Sequence, residues 1–182
     1  MSTIDIIAFE GTTPDVADDA FVAAGSRVIG RVKIGPEASI WYNCVVRGDV
    51  NSISIGARTN IQDGTVIHCD SPEEGDDGYP TTIGEDCLVG HMVLLHGCTL
   101  KDRAFVGMGA IVLNGAVIES DGMLAAGAML TAGKTIRSGE LWAGRPAKYL
   151  RDLRPEEIVA NQEGVKRYVA NAKAHKAAVK GG

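Results

Sequence analysis

The chain is 182 residues long, 45% hydrophobic and only 5% aromatic, with a formal net charge of -5. An acidic balance with no basic stripe excludes a nucleic-acid surface, and no run approaches the roughly 18 apolar residues of a membrane span. No Lys or Arg precedes Arg27, so the pattern of a secretory signal is missing and the cytoplasm is the expected location.

From Val22 onward an apolar residue returns every six positions. Val22, Val28, Ile34, Ile40 and Val46 form one run, Ile55, Ile61 and Ile67 a second, and Ile83, Val89 and Leu95 a third. Leu100, Val106, Val112, Ile118, Leu124, Leu130, Ile136 and Trp142 form a fourth. Four residues after most of these stands something small, among them Ser26, Ala38, Cys44, Thr59, Thr65, Cys87, Thr99, Ala104, Ala110 and Ala116. Positions i and i+4 of a strand share a face, so both kinds of residue enter one core. A period of six fits neither a 3.6-residue nor a heptad stripe. It is the signature of a parallel β-helix in which each hexad is a short strand plus a corner, and the 23 glycines suit a chain that turns so often. The core is then built in thin layers of Val, Ile, Leu and Ala over residues 1–150.

The beat is broken three times. Val46 to Ile55 is nine residues, Ile67 to Ile83 is sixteen, and Leu95 to Leu100 is five. The long step carries Asp70, Pro72, Glu73, Glu74, Gly75, Asp76, Asp77, Gly78 and Pro80, the composition of a surface excursion over 70–82. All three breaks fall among the histidines.

Of the four cysteines, Cys44 and Cys87 take the small inward position and read as buried hydrophobes. Cys69 and Cys98 flank the histidines without C-x-x-C spacing and are weak zinc or disulfide candidates. Beyond Trp142 the period stops. Pro155, Glu156 and Glu157 start a helix reaching about Val179, whose stripe Val165, Tyr168, Val169 and Ala172 packs the 151–182 segment onto an outer face of the β-helix. Lys180, Gly181 and Gly182 are expected to fray.

Three of the four histidines, His68, His91 and His96, share one stretch. Taking three hexads per triangular coil and discounting the ten inserted residues, Ile67 and Leu95 lie one coil apart. His68 and His96 each follow by one, so they stack about 4.8 Å apart on neighbouring coils, the spacing of adjacent strands. Two imidazoles so placed can share a metal at bonds of roughly 2.0–2.1 Å. Arg47 falls at the same phase one coil earlier. His91 does not join them: it follows Val89 by two, on the preceding side, with Asp63 at the same phase one coil below and Gln62 beside it. One chain thus offers two ligands on one side and a third on another. A second copy bringing its His91 side against the pair would complete the site, and repetition round a threefold axis predicts a homotrimer.

Val46-Arg47-Gly48-Asp49-Val50-Asn51, Ile55-Gly56-Ala57-Arg58-Thr59-Asn60-Ile61-Gln62-Asp63-Gly64, His68, Ile83-Gly84, Gly90-His91, Leu95-His96-Gly97-Cys98, Val106-Gly107-Met108-Gly109 and the exit Ala143-Gly144-Arg145-Pro146-Ala147 together resemble the gamma-class carbonic anhydrases over nearly the whole chain. The resemblance implies a left-handed β-helix, an exception to the usual crossover rule, and a homotrimer with zinc between subunits; iron or cobalt are further candidates. It implies that His68 and His96 come from one subunit and His91 from its neighbour. The chemistry implied is reversible hydration of carbon dioxide to bicarbonate, zinc lowering the pKa of a bound water to about 7, a figure established on carbonic anhydrase itself.

By the same resemblance Gln62 orients the nucleophile or substrate and Asp63 supports it. Arg47 and Asp49 form an ion pair across the subunit contact, and Asn60 stands behind the ligands. Tyr168 matches a tyrosine of many relatives, with packing as its other reading. The chain departs from the most active archetype at Val50 and Ser71, where that archetype carries carboxylates, which leaves proton export to Glu73, Glu74, Asp76 or Asp77 on the loop, or to buffer. Three rivals remain: a hexapeptide-repeat acyltransferase with one histidine as general base, an acyl-thioester hydrolase using the same metal, and a catalytically silent metal-binding trimer.

Overall fold

Each hexad becomes a strand of two or three residues followed by a corner, and the apolar beat becomes the core. The computed structural model describes residues 5–180. They form a left-handed parallel β-solenoid of about 8 turns followed by the helix Pro155–Lys180. The expected fraying of Gly181 and Gly182 lies outside the described residues, and Lys180 is still helical.

Three faces result, each a ladder of in-register strands. On the first, Val28, Val46, Ile67, Leu95, Val112 and Leu130 lie one above another. On the second stand Ile34, Ile55, Ile83, Leu100, Ile118 and Ile136. The third carries Val22, Ile40, Ile61, Val89, Val106, Leu124 and Trp142. Nearly all are fully buried, and each such side chain contributes roughly 1.5–3 kcal/mol by leaving water. The inward hydroxyls are satisfied by the neighbouring coil: Ser26 Oγ donates to the Trp41 carbonyl at 2.6 Å, and Thr59 Oγ1 to that of Gly84 at 2.7 Å.

The breaks in the beat have structural counterparts. The strand register moves from Gly30↔Gly48 to Val32↔Ile53, so Asp49, Val50, Asn51 and Ser52 arch outward as a bulge. Thr81–Ile83 forms a strand, which places Thr81 and Thr82 in the sheet; Asp70 N donates to the Tyr79 carbonyl across the neck of the excursion at 2.8 Å. In the five-residue step Cys98, not Thr99, takes the buried small position, because the missing residue moves the inward phase forward by one.

Three strands at the ends lie outside the apolar run counted from Val22 to Trp142. Asp5–Ile7 and Asp15–Val16 pair in parallel with Arg27–Ile34 and open the solenoid before Val22. At the other end Lys148–Asp152 turns back antiparallel on Glu140–Ala143. The helix then returns along the third face, against strands Phe21–Val22, Ser39–Ile40, Asn60–Ile61 and Leu88–Val89. Val165 and Ala172 of its apolar stripe are buried there. Arg151 holds the first turn through a two-pronged bond to Glu157, at 2.8 Å on each prong, and that bond keeps the Glu157 carboxyl well below the usual range. Among the described residues no helix is long and apolar enough to cross a membrane.

Candidate metal centre

The first face sets His68 directly opposite His96 on paired strands Val66–His68 and Leu94–His96, with ring centroids 5.1 Å apart. Ile67 and Leu95 point inward immediately beside them, so the imidazoles must point outward from neighbouring coils. The bulge brings Asp49 to His68, with Oδ1 2.9 Å from Nε2, and Arg47 Nη1 donates to the other carboxylate oxygen at 2.5 Å. Burial works against the Asp49 anion, but the bonds from His68 and Arg47 outweigh it and hold its pKa at about 2. An ionised carboxylate only accepts, so His68 carries its proton on Nε2.

A parallel inference applies to His96. Its Nδ1 lies 2.6 Å from Asn114 Oδ1, and Asn114 Nδ2 donates to Asp70 Oδ2 at 2.9 Å. The carboxylate fixes which way the amide points, so the Asn114 oxygen accepts and His96 carries its proton on Nδ1. What remains is His68 Nδ1 and His96 Nε2, 3.1 Å apart, with a lone pair on each. Two lone pairs at that distance repel unless a cation lies between them. Donors on one tetrahedral zinc stand roughly 3.3 Å apart, so this pair fits half of a divalent metal site.

His91 stands at the corner between the helix-covered third face and the first face, rather than on the flat of a side. It is the first of two turn residues, the second being Met92 with φ 59. Corner residues Tyr42, Asp63, His91 and Met108 stack coil on coil, each accepting a backbone N–H from the next corner at 2.8–2.9 Å. Asp63 Oδ2 lies 2.8 Å from His91 Nδ1, and Asp63 Oδ1 accepts from Tyr42 N at 3.2 Å. This turns His91 Nε2 into the free nitrogen. The His91 side chain is 41% exposed against 18% for His68. Among the described residues no three His, Cys, Asp or Glu side chains converge in a metal-holding group.

The nine sequence-derived site residues therefore fall into two clusters. Arg47, Asp49, His68 and His96 share the first face; Asn60, Gln62, Asp63, His91 and Tyr168 gather at or beside the corner. Arg47 and Asp49 pair within the single chain. Gln62 and Asn60 are buried on either side of Ile61, with Gln62 Nε2 donating to Asn60 Oδ1 at 3.0 Å. Tyr168 packs edge-on against Trp41, centroids 5.4 Å apart. All four cysteines are free and buried, and burial pushes Cys98 up to about 12, which makes it a poor metal ligand.

No family model matches the chain. Curated relatives do match. The carbonic anhydrase of Geobacillus kaustophilus is 42% identical over 94% of this chain and 91% of its own length. The "Probable carbonic anhydrase" of Methanocaldococcus jannaschii is 48% identical over 85% of this chain and 93% of its own. Gamma carbonic anhydrase 2 of Arabidopsis thaliana, a mitochondrial protein, is 48% identical over 90% of this chain. The chain belongs to the gamma carbonic anhydrase family. It spans only 59% of that Arabidopsis relative's length. Solved structures like this gamma-family chain carry other names. A hexapeptide transferase family protein from Anaplasma phagocytophilum superposes with a TM-score of 0.87 at 48% identity, covering 93% of this chain and 97% of its own. A proposed acetyltransferase of Bacillus cereus gives 0.91 at 37%, covering 96% and 98%.

Two residues in this gamma-family site escaped the reading of the sequence as site residues, Asn114 and, as its partner, Asp70. A signal existed for Asn114: it follows Val112 by two, one coil beyond Gly97 and next to His96. Nothing local announces the bond to Asp70, which spans 44 residues.

Proposed function

We propose that the chain is a metal-dependent carbonic anhydrase, active as a homotrimer in which His68 and His96 of one copy and His91 of another hold the metal. The observation that carries this reading is the 3.1 Å approach of His68 Nδ1 to His96 Nε2, with each ring's other nitrogen against a partner, Asp49 for His68 and Asn114 for His96, that leaves the facing nitrogens to a metal. A bound divalent ion, zinc by its liking for three nitrogens, with iron or cobalt as alternatives, supplies the Lewis acidity that makes water nucleophilic near neutral pH, as carbonic anhydrases themselves exemplify.

The residues of the chain do the rest. Asp49 and Asn114 hold the two stacked rings in their ligand tautomers, and Asp63 does the same for His91. The Asn60 bond sets the Gln62 amide, whose second N–H and oxygen are proposed to orient the substrate carbon dioxide or bicarbonate. Arg47 anchors Asp49. The outer surface supports a second copy: Met92, Met108 and Val66 are 70%, 58% and 38% exposed, with half-buried Leu94, Ile111 and Met129 beside them. That is an apolar band adjoining both half-sites. A cytoplasmic location stays the reading from composition.

The test is metal content per subunit together with carbon dioxide hydration, for the wild type and His91→Ala. The variant should keep the solenoid's circular dichroism, lose its metal and lose hydration. Full metal retention in His91→Ala overturns the shared site. Acyl-coenzyme A turnover in place of hydration would instead favour the acyltransferase or thioesterase alternatives, and stoichiometric metal with neither activity the silent trimer.

A further inference from the structure

We propose that Asp70 and Asn114 are positioning residues for the metal centre, and that through them the excursion loop sets which nitrogen of His96 is offered to the metal. The proposal deepens the metal reading above and rests on it.

An imidazole alone does not choose its tautomer; the hydrogen bond at one nitrogen decides what the other presents. At His96 that choice passes to Asn114, but an amide is itself ambiguous, since its oxygen would accept from Nδ1–H while its NH2 would donate to a bare Nδ1. The second outcome would put the proton on Nε2, pointed at His68, and close the position to a metal. Asp70 removes the ambiguity. Its carboxylate can only accept, so the Asn114 NH2 faces Asp70 at 2.9 Å and the oxygen faces His96 at 2.6 Å.

The loop is built to hold Asp70 there. Asn51 Nδ2, on the bulge, donates to the backbone carbonyls of both Asp70 and Asp77 at 3.0 and 3.1 Å. Asp70 N donates to the Tyr79 carbonyl, closing the neck. Thr81 Oγ1 donates to the carbonyl of His68 and accepts from Gly97 N at 3.0 Å, tying the loop's exit to both histidine strands. Bulge, excursion and five-residue step, the three breaks in the repeat, thus converge on one relay.

The test uses the full chain labelled with nitrogen-15 at histidine. Two-bond nitrogen–proton spectra of the metal-free protein read the His96 tautomer, assigned by its loss in His96→Gln, and zinc affinity is measured by competition with a chelator. Asn114→Leu should lose the fixed Nδ1–H form and bind zinc about 10–100-fold more weakly. Asp70→Ala, on the surface loop, should do the same to a smaller degree and covers the case in which Asn114→Leu fails to fold. The exchange variant Asp70→Asn/Asn114→Asp keeps an acceptor on His96 and a donor behind it, and should recover the tautomer and most of the affinity. An unchanged tautomer and unchanged zinc affinity in Asn114→Leu and Asp70→Ala overturn the relay. Should the wild type take up no zinc, the metal reading falls while the spectra still decide: a mixed tautomer in these variants upholds the positioning role, and a fixed one overturns it.

Discussion

The two histidine clusters are built on opposite principles. The His68/His96 pair rests on a fully buried layer, stands in register on paired strands and has a committed partner at each outer nitrogen. His91 sits at a turn next to the 70% exposed Met92 and is held by one carboxylate. One half is organised by the chain's own core; the other is presented outward. Such a division suits a site that closes on assembly, because the rigid half supplies geometry and the presented half supplies the assembly signal.

The sharpest break of this comparison is complementation. His91→Ala and His96→Ala chains are each expected to be inactive alone. Mixed at equal amounts and reassembled, an interface joining an intact pair from the first to an intact corner from the second is whole, so random assembly should restore roughly a quarter of wild-type hydration. Recovery of none would mean that the two halves come from the same chain or that the copies do not meet this way. Next in size comes stability. Leu95→Ala, beneath His96, should cost about 2–5 kcal/mol in urea unfolding, whereas Met92→Ala at the corner should change the single chain by under about 0.5 kcal/mol while weakening association on a sizing column. Equal effects would erase the distinction between core-held and partner-held.

The same contrast explains what was legible. The pair could be counted from the sequence because its phase derives from Ile67 and Leu95, and inward residues repeat wherever a strand backs onto the core. The breaks at nine, sixteen and five residues became the bulge, the excursion and the Cys98 shift for the same reason. His91 was placed on the right coil but on the flat of a side, since a six-residue beat marks strands and is silent about which outward residue turns the corner. Lys148–Asp152 was missed because an antiparallel return carries no six-residue period. Asp70 with Asn114 was missed because a bond between a loop and a distant coil leaves no local pattern.

Each half's carboxylate offers a finer test. Asp49→Asn and Asp63→Asn each remove the carboxylate charge beside a histidine, and if His68 and His91 hold the metal as proposed, each should weaken zinc binding about 10–100-fold by chelator competition. The two should differ in kind. Asp49 also anchors Arg47 within its own chain, so its loss should disturb the metal-free chain as well. Asp63→Asn should show only where metal or a second copy is bound. A metal-free chain unmoved by Asp49→Asn would mean that the pair is not organised before assembly.

The smallest expected effect is the acid behaviour of that same carboxylate. In the folded chain the bonds from His68 and Arg47 hold the Asp49 carboxyl at about 2, below the ordinary aspartate value of 3.8. A depressed folded value means the unfolded chain takes up the proton first. The contribution of Asp49 is then fully present above pH 4 and disappears as pH falls toward 2. Denaturant unfolding of metal-free wild type should therefore lose stability more steeply across that window than Asp49→Asn, which has no proton to bind there. The gap between the two should be widest at neutral pH and nearly closed near pH 2. Parallel curves would show that the His68 and Arg47 bonds do not hold the anion in the single chain, and that the rigid half, like the corner, waits for its partner.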